Sequence, residues 1–218
     1  TVFGHSEGLS PDAPLWAYVR LQVTNRGAQP ATVPVRLDTP DAPGAWGAVE
    51  GQLSLAAGGS DALHARIAYR LVKGASFERI DRPCYDAALE ETRAFWAAEL
   101  GRGMQIDVPD ARLAEAWRAW LAYNYIDVDQ MNGTFEPHDG SGFYEAVFAY
   151  SAARYAWVLD QYGRHDDAEA YLATLMAHQA PDGLLDWNSG LLDHGAYLAA
   201  LAEHYRLTGN TEWLRDVA

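Results

Sequence analysis

Between residues 15 and 24 the chain alternates, with Ala17, Val19, Leu21 and Val23 on one side and Tyr18, Arg20, Gln22 and Thr24 on the other. That period of two predicts a half-buried strand. A turn around Gly27 leads to a second alternating run, in which Val33, Val35 and Leu37 interleave with Thr32, Pro34 and Arg36. Pro34 has no N–H to give to a ladder, so this strand is expected at an edge. Gln52 to Leu55 predicts a short strand. Leu63, Ala65, Ile67, Tyr69 and Leu71 continue the two-residue period. Residues 1–80 therefore predict antiparallel strands forming a segment of a β-sandwich.

After Pro83 the apolar spacing becomes helical. Residues 85–100 place Leu89, Trp96 and Leu100 among charges and meet Gly101 as a stop, predicting a linker helix within 81–105. A second helix opens at Asp110, whose side chain can cap it, and carries Leu113, Trp117, Trp120 and Leu121 as one stripe. The run 143–162 puts bulk on every side and predicts a helix buried all round. Residues 167–178 are amphipathic, and 191–207 are again nearly all apolar or small. Gly163 and Gly209 close two similar turns about one helical hairpin apart, so residues 106–218 read as stacked hairpins arranged outer, inner, outer, inner. The connections 127–142 and 180–190 are long and fall, by parity, on one end.

Composition narrows the chemistry. The 218 residues carry 16 basic and 30 acidic side chains, a formal charge of −14, which repels nucleic-acid phosphates and anionic membrane surfaces. No apolar run approaches the roughly 20 residues of a spanning helix. Eight tryptophans and twelve tyrosines supply flat amphipathic walls as well as core. Cys84 is the single cysteine and Lys73 the single lysine; the arginine skew points to a GC-rich, bacterial source. Thr1 to Ser10 has no signal-peptide pattern, and both ends are expected to lie inside a longer chain.

The run Leu159 to Gly163 with Ala168, the run Gln179 to Gly183 and the run His204 to Asn210 resemble the six-hairpin glycosidases, the (α/α)6 toroids that include glucoamylases, trehalases and α-L-rhamnosidases. The resemblance implies a β-sandwich segment followed by all-α hairpins of a partial toroid. It also implies a glycoside hydrolase acting by inversion with two carboxylates on a carbohydrate substrate. No cofactor, metal, nucleic acid or membrane partner is expected. A polysaccharide lyase or sugar phosphorylase on the same toroid, and a non-catalytic helical-repeat scaffold, stand as alternatives.

The two long connections bring Asp127, Asp129, Glu136, His138, Asp139, Glu145, Asp182, Asp186, Trp187, Asp193 and His194 to one end. Sugar hydrolysis needs an acid to load the leaving oxygen, a carboxylate to drive water, and aromatic planes against the sugar. Asp139 and Glu145 are the catalytic-site candidates. Glu145, read in the first turn of the buried helix, looks like the family's substrate clamp, although the arginine that precedes that acid in the family is absent here. Glu136, His138, Tyr144, Asp186, Trp187, Asp193 and His194 are the substrate-binding candidates. In the family the general acid and base lie on later hairpins, beyond residue 218. The run from Asp127 to Gly133 fails as a calcium loop, because its glycine stands one place late and its twelfth position is His138.

Overall fold

The computed structural model describes residues 1–7, 13–38, 48–68, 77–131, 133–140, 144–185 and 190–217. It divides into two compact units, 1–96 and 97–218.

In the first unit, β1 (Val2–Ser6), β2 (Leu15–Thr24), β5 (Ser60–Ala68) and β6 (Phe77–Ile80) form one antiparallel sheet in the order β1-β2-β5-β6. A separate hairpin pairs β3 (Ala31–Asp38) with β4 (Ala48–Leu55). The alternation in β2 decides what covers each face. Leu21 and Val23, with Leu63 and Ala65 of β5, pack against Val35, Val49, Leu53 and Leu55 of the hairpin. Tyr18, on the opposite face, packs with Phe3 and with Tyr85 and Ala88 of α1 (Arg82–Leu100). The Phe3 and Tyr18 rings stack at 5.3 Å. Residues 69–71, expected to prolong β5, lie outside the described residues.

The second unit begins in the last turn of α1 and holds α2 (Ala111–Ile126), the hairpin β7 (Val128–Met131) and β8 (Thr134–Pro137), then α3 (Ala149–Gln161), α4 (His165–Ala177), α5 (Leu191–Thr208) and α6 (Thr211–Val217). Asp110 caps α2 as expected, accepting from the Arg112 N–H at 3.0 Å. α3 packs on both α4 and α5, and β8 lies on α4. The α3 seam is alanine: Ala149, Ala152, Ala153 and Ala156 are buried, so neighbouring backbones can approach closely.

The expected β-sandwich segment followed by all-α hairpins of a partial (α/α)6 toroid is not what forms. The chain has mixed α/β content: among the described residues, one four-stranded antiparallel sheet, two two-stranded sheets and six helices. The reasons are local. The outer face of β2 meets a helix rather than a second sheet, because Tyr18 and Phe3 give it an aromatic surface that Tyr85 can cover. Val128–Met131 and Thr134–Pro137, expected as loop, pair as antiparallel strands, with Met131 opposite Thr134 and Gly133 at φ +86°, a conformation glycine adopts without penalty. The helix predicted over 143–162 starts only at Ala149, and its bulky Tyr150, Tyr155, Trp157 and Val158 are half-buried while Arg154 is exposed. It is amphipathic with a small-residue face, not buried all round. On α2 only Leu121 and Asn124 are buried; Leu113 and Trp120 of the expected stripe are exposed. No helix among the described residues is long and apolar enough to cross a membrane.

Arg164, the residue before α4, ties the second unit together. Its buried guanidinium donates to Glu99 Oε1 at 3.0 Å, to the Glu99 and Arg102 carbonyls at 2.6 and 3.1 Å, and to the Tyr125 hydroxyl at 2.8 Å. Tyr125 in turn donates to Asp167 at 2.5 Å. Burial first, and then the Asp167 carboxylate, push the Tyr125 phenol far above its ordinary range.

Candidate functional site

The end of α2, the residues after β8 and the start of α3 converge on two carboxylates. Asp127 is the C-cap of α2; its N–H donates to Tyr123 O at 3.1 Å and its carbonyl accepts the His138 N–H at 2.7 Å. That second bond draws His138 and Asp139 beside the helix end. Ser151 donates to Asp139 Oδ2 at 2.9 Å, and the Tyr123 hydroxyl lies 3.4 Å from the Asp139 carbonyl.

Helical spacing completes the cluster. Tyr123 and Asp127 stand four residues apart on α2, as Ser151 and Tyr155 do on α3, so each pair projects together. Hydrogen bonding to the Asp127 carboxylate holds the Tyr123 phenol above its usual range. Tyr155 is raised by burial first, then by the charges of Asp139 and Asp127. Asp139 Oδ1 and Asp127 Oδ2 are both buried with no hydrogen-bond partner among the described residues, as are both amide atoms of Asn124 one turn earlier. Buried polar atoms are nearly always paired, and exceptions concentrate where a ligand or water completes them.

The sequence-predicted residues divide. Asp139 lies in this cluster and His138 beside it, both half-buried. Glu136 sits on β8 opposite Asp129, half-buried. Tyr144 is exposed, stacks edge-on against Phe148 at 5.9 Å and approaches Gly140, where an added Cβ would stand 4.0 Å from its own. Glu145 is exposed and precedes α3 rather than standing in its first turn, so the helix-start argument for it lapses. Asp186 and Trp187 lie outside the described residues.

Asp193 and His194, both expected to bind substrate, make contacts inside the fold. Asp193 is buried and its Oδ1 accepts the Tyr150 N–H at 3.1 Å, in the first turn of α3. His194 Nδ1 accepts the Leu185 N–H at 3.2 Å and so anchors the segment before α5. Sequence reading passed over Ser151, Tyr123 and Tyr155; the signal available was their i, i+4 placement around the acids.

No protein-family model, curated protein or solved structure matches the chain.

Proposed function

We propose that the chain belongs to a glycoside hydrolase and that Asp127 and Asp139 supply the carboxylate pair. The observation that supports this reading is the convergence of the two acids, each with one buried, unpartnered oxygen, between Tyr123 and Tyr155. Glycosidic cleavage by inversion uses such a pair. One carboxyl gives its proton to the leaving oxygen as the bond from C1 breaks, while the other takes a proton from the water whose oxygen attacks C1. The Ser151 bond to Asp139 suits a carboxylate, because an ionised acid accepts strongly and the hydroxyl has a proton to give. Tyr123 makes the same kind of bond to Asp127, so which of the two gives the proton and which takes one is read from the pH–rate profile of each variant. The net charge of −14 fits a neutral substrate, and the exposed ring of Tyr144 offers a face for a sugar.

The test is hydrolysis of a panel of aryl glycosides and oligosaccharides, with product anomers followed by NMR. Asp139→Asn and Asp127→Asn should each lower kcat by about 10²–10⁴-fold with the melting temperature kept, each removing a different limb of the pH–rate profile. An active enzyme whose kcat is untouched by either substitution would remove the pair from the chemistry. Absence of glycosidase activity across the panel would overturn the reading itself.

A further inference from the structure

We propose that Asp160, His165 and His204 form a binding site for a divalent transition-metal ion of the zinc class, with Glu169 orienting one of the ligands. The site stands at the opposite end of α3 from Ser151 and is independent of the glycosidase reading. Among the described residues, these three side chains are the one group of its kind whose donor atoms all lie within 4.8 Å of one another.

Three helix ends meet there. Asp160 lies in the last turn of α3, His165 opens α4 across the tight turn at Gly163, and His204 lies in the last turns of α5. His165 Nδ1 is 2.9 Å and His204 Nδ1 is 2.8 Å from the same oxygen, Asp160 Oδ1, and His204 Nδ1 is also 2.9 Å from Oδ2. Two imidazole nitrogens thus converge on one carboxylate. Four-coordinate zinc holds nitrogen and oxygen ligands at about 2.0–2.2 Å, which sets neighbouring donors about 3.3 Å apart. The nitrogen–oxygen spacings of 2.9 and 2.8 Å lie within about 0.5 Å of that value.

The other side of His204 has the partner such a ligand requires. His204 Nε2 faces Glu169 Oε1 at 3.2 Å, and the Asn210 amide donates to that same oxygen at 3.5 Å. A neutral imidazole has one N–H. If Nε2 gives its proton to Glu169, the bare Nδ1 lone pair faces the oxygens of Asp160, an arrangement that calls for a cation between them. A carboxylate on the far nitrogen of a metal-bound histidine fixes its tautomer and raises its basicity. Asp160 and His204 are wholly buried, Trp213 packs on the His204 ring at 4.3 Å, and the partly exposed His165 leaves a path for entry and a position for water.

The experiment uses the full chain, stripped with chelator, in a Cys84→Ser background, because Cys84 is exposed and would compete for zinc. Titration with ZnCl2 by calorimetry should show one site, and the melting temperature should rise with free zinc. Co2+ should give the visible absorption of a four-coordinate site. His165→Ala should weaken binding at least tenfold with little change in the metal-free melting temperature. Glu169→Gln should weaken it about 10–100-fold. Absence of stoichiometric uptake would overturn the proposal, as would zinc binding that both variants leave unchanged. The cluster would then be a charged hydrogen-bond clamp alone.

Discussion

Asp193 Oδ1 accepts the Tyr150 backbone N–H at 3.1 Å, so the first turn of α3 is capped from α5. Phe148, the N-cap residue of α3, makes no side-chain capping bond of its own. The acid that resembled a sugar ligand is therefore part of a helix junction. Asp193→Ala removes the cap and leaves a buried donor without a partner. Stability should fall by about 1–3 kcal/mol, and Asp193→Asn, which keeps an oxygen, should recover much of the loss. Urea denaturation measures both, and an unchanged Asp193→Ala midpoint would rule the cap out.

Arg164 should be the costliest basic residue to lose from the second unit. Arg164→Met takes the buried guanidinium from the Glu99 and Arg102 carbonyls and removes one of the two arginine partners of the Glu99 carboxylate, at a cost of about 3–5 kcal/mol. Arg102, about half exposed, also pairs with Glu99 and Asp167, and Arg102→Met should cost about 0.2–1 kcal/mol. Equal midpoints for the two variants in a denaturant titration would show that burial is not what makes Arg164 important.

His64 should make the first unit less stable in mild acid. The ring is buried beside Tyr85, with centroids 4.9 Å apart. Burial lowers its pKa first; Asp86 and Asp61 pull it up, Arg20 and Arg82 push it down, and the net direction is down. Below the unfolded value of about 6.5 the unfolded chain takes a proton that the folded chain refuses, so stability falls as pH drops through that range. His64→Gln should abolish this component. The comparison is the difference in unfolding free energy between wild type and variant from about pH 7.5 to 5; parallel curves would refute it.

Thr174 should hold the β7–β8 hairpin to α4. Its hydroxyl donates to the Phe135 carbonyl at 2.6 Å in a fully buried position. Thr174→Val keeps the shape and deletes the bond, costing about 1 kcal/mol. Amide exchange should quicken in residues 128–137 before anywhere else in the second unit, and uniform exchange would show that the tie is dispensable.

Wherever a period was carried by side chains that the element itself buries, the sequence was sufficient. The alternation along β2, the Asp110 cap and the apolar spacing of α4, with Ala168, Tyr171, Leu172 and Leu175 inside, could all be read before any fold was known. Gly133, at φ +86°, supplies the positive φ that the β7–β8 connection needs, and its place after an asparagine in the sequence is a hairpin signal.

Tertiary structure decided everything that depends on which surface meets which. Tyr18 reads as the outward side of a half-buried strand, and only the position of Tyr85 makes it core. Bulk around α3 reads as burial on all sides, yet its seam is the alanine face, because close helix approach rewards small side chains that a hydrophobicity pattern undervalues. The acids show this most clearly. A carboxylate's role depends on the few atoms within hydrogen-bond reach, and those come from distant parts of the chain: Asp193 meets Tyr150, Asp139 meets Ser151, and Asp160 meets His204. One-dimensional spacing names the residue types that chemistry needs, but whether each caps a helix, faces a substrate or receives an ion follows from packing alone.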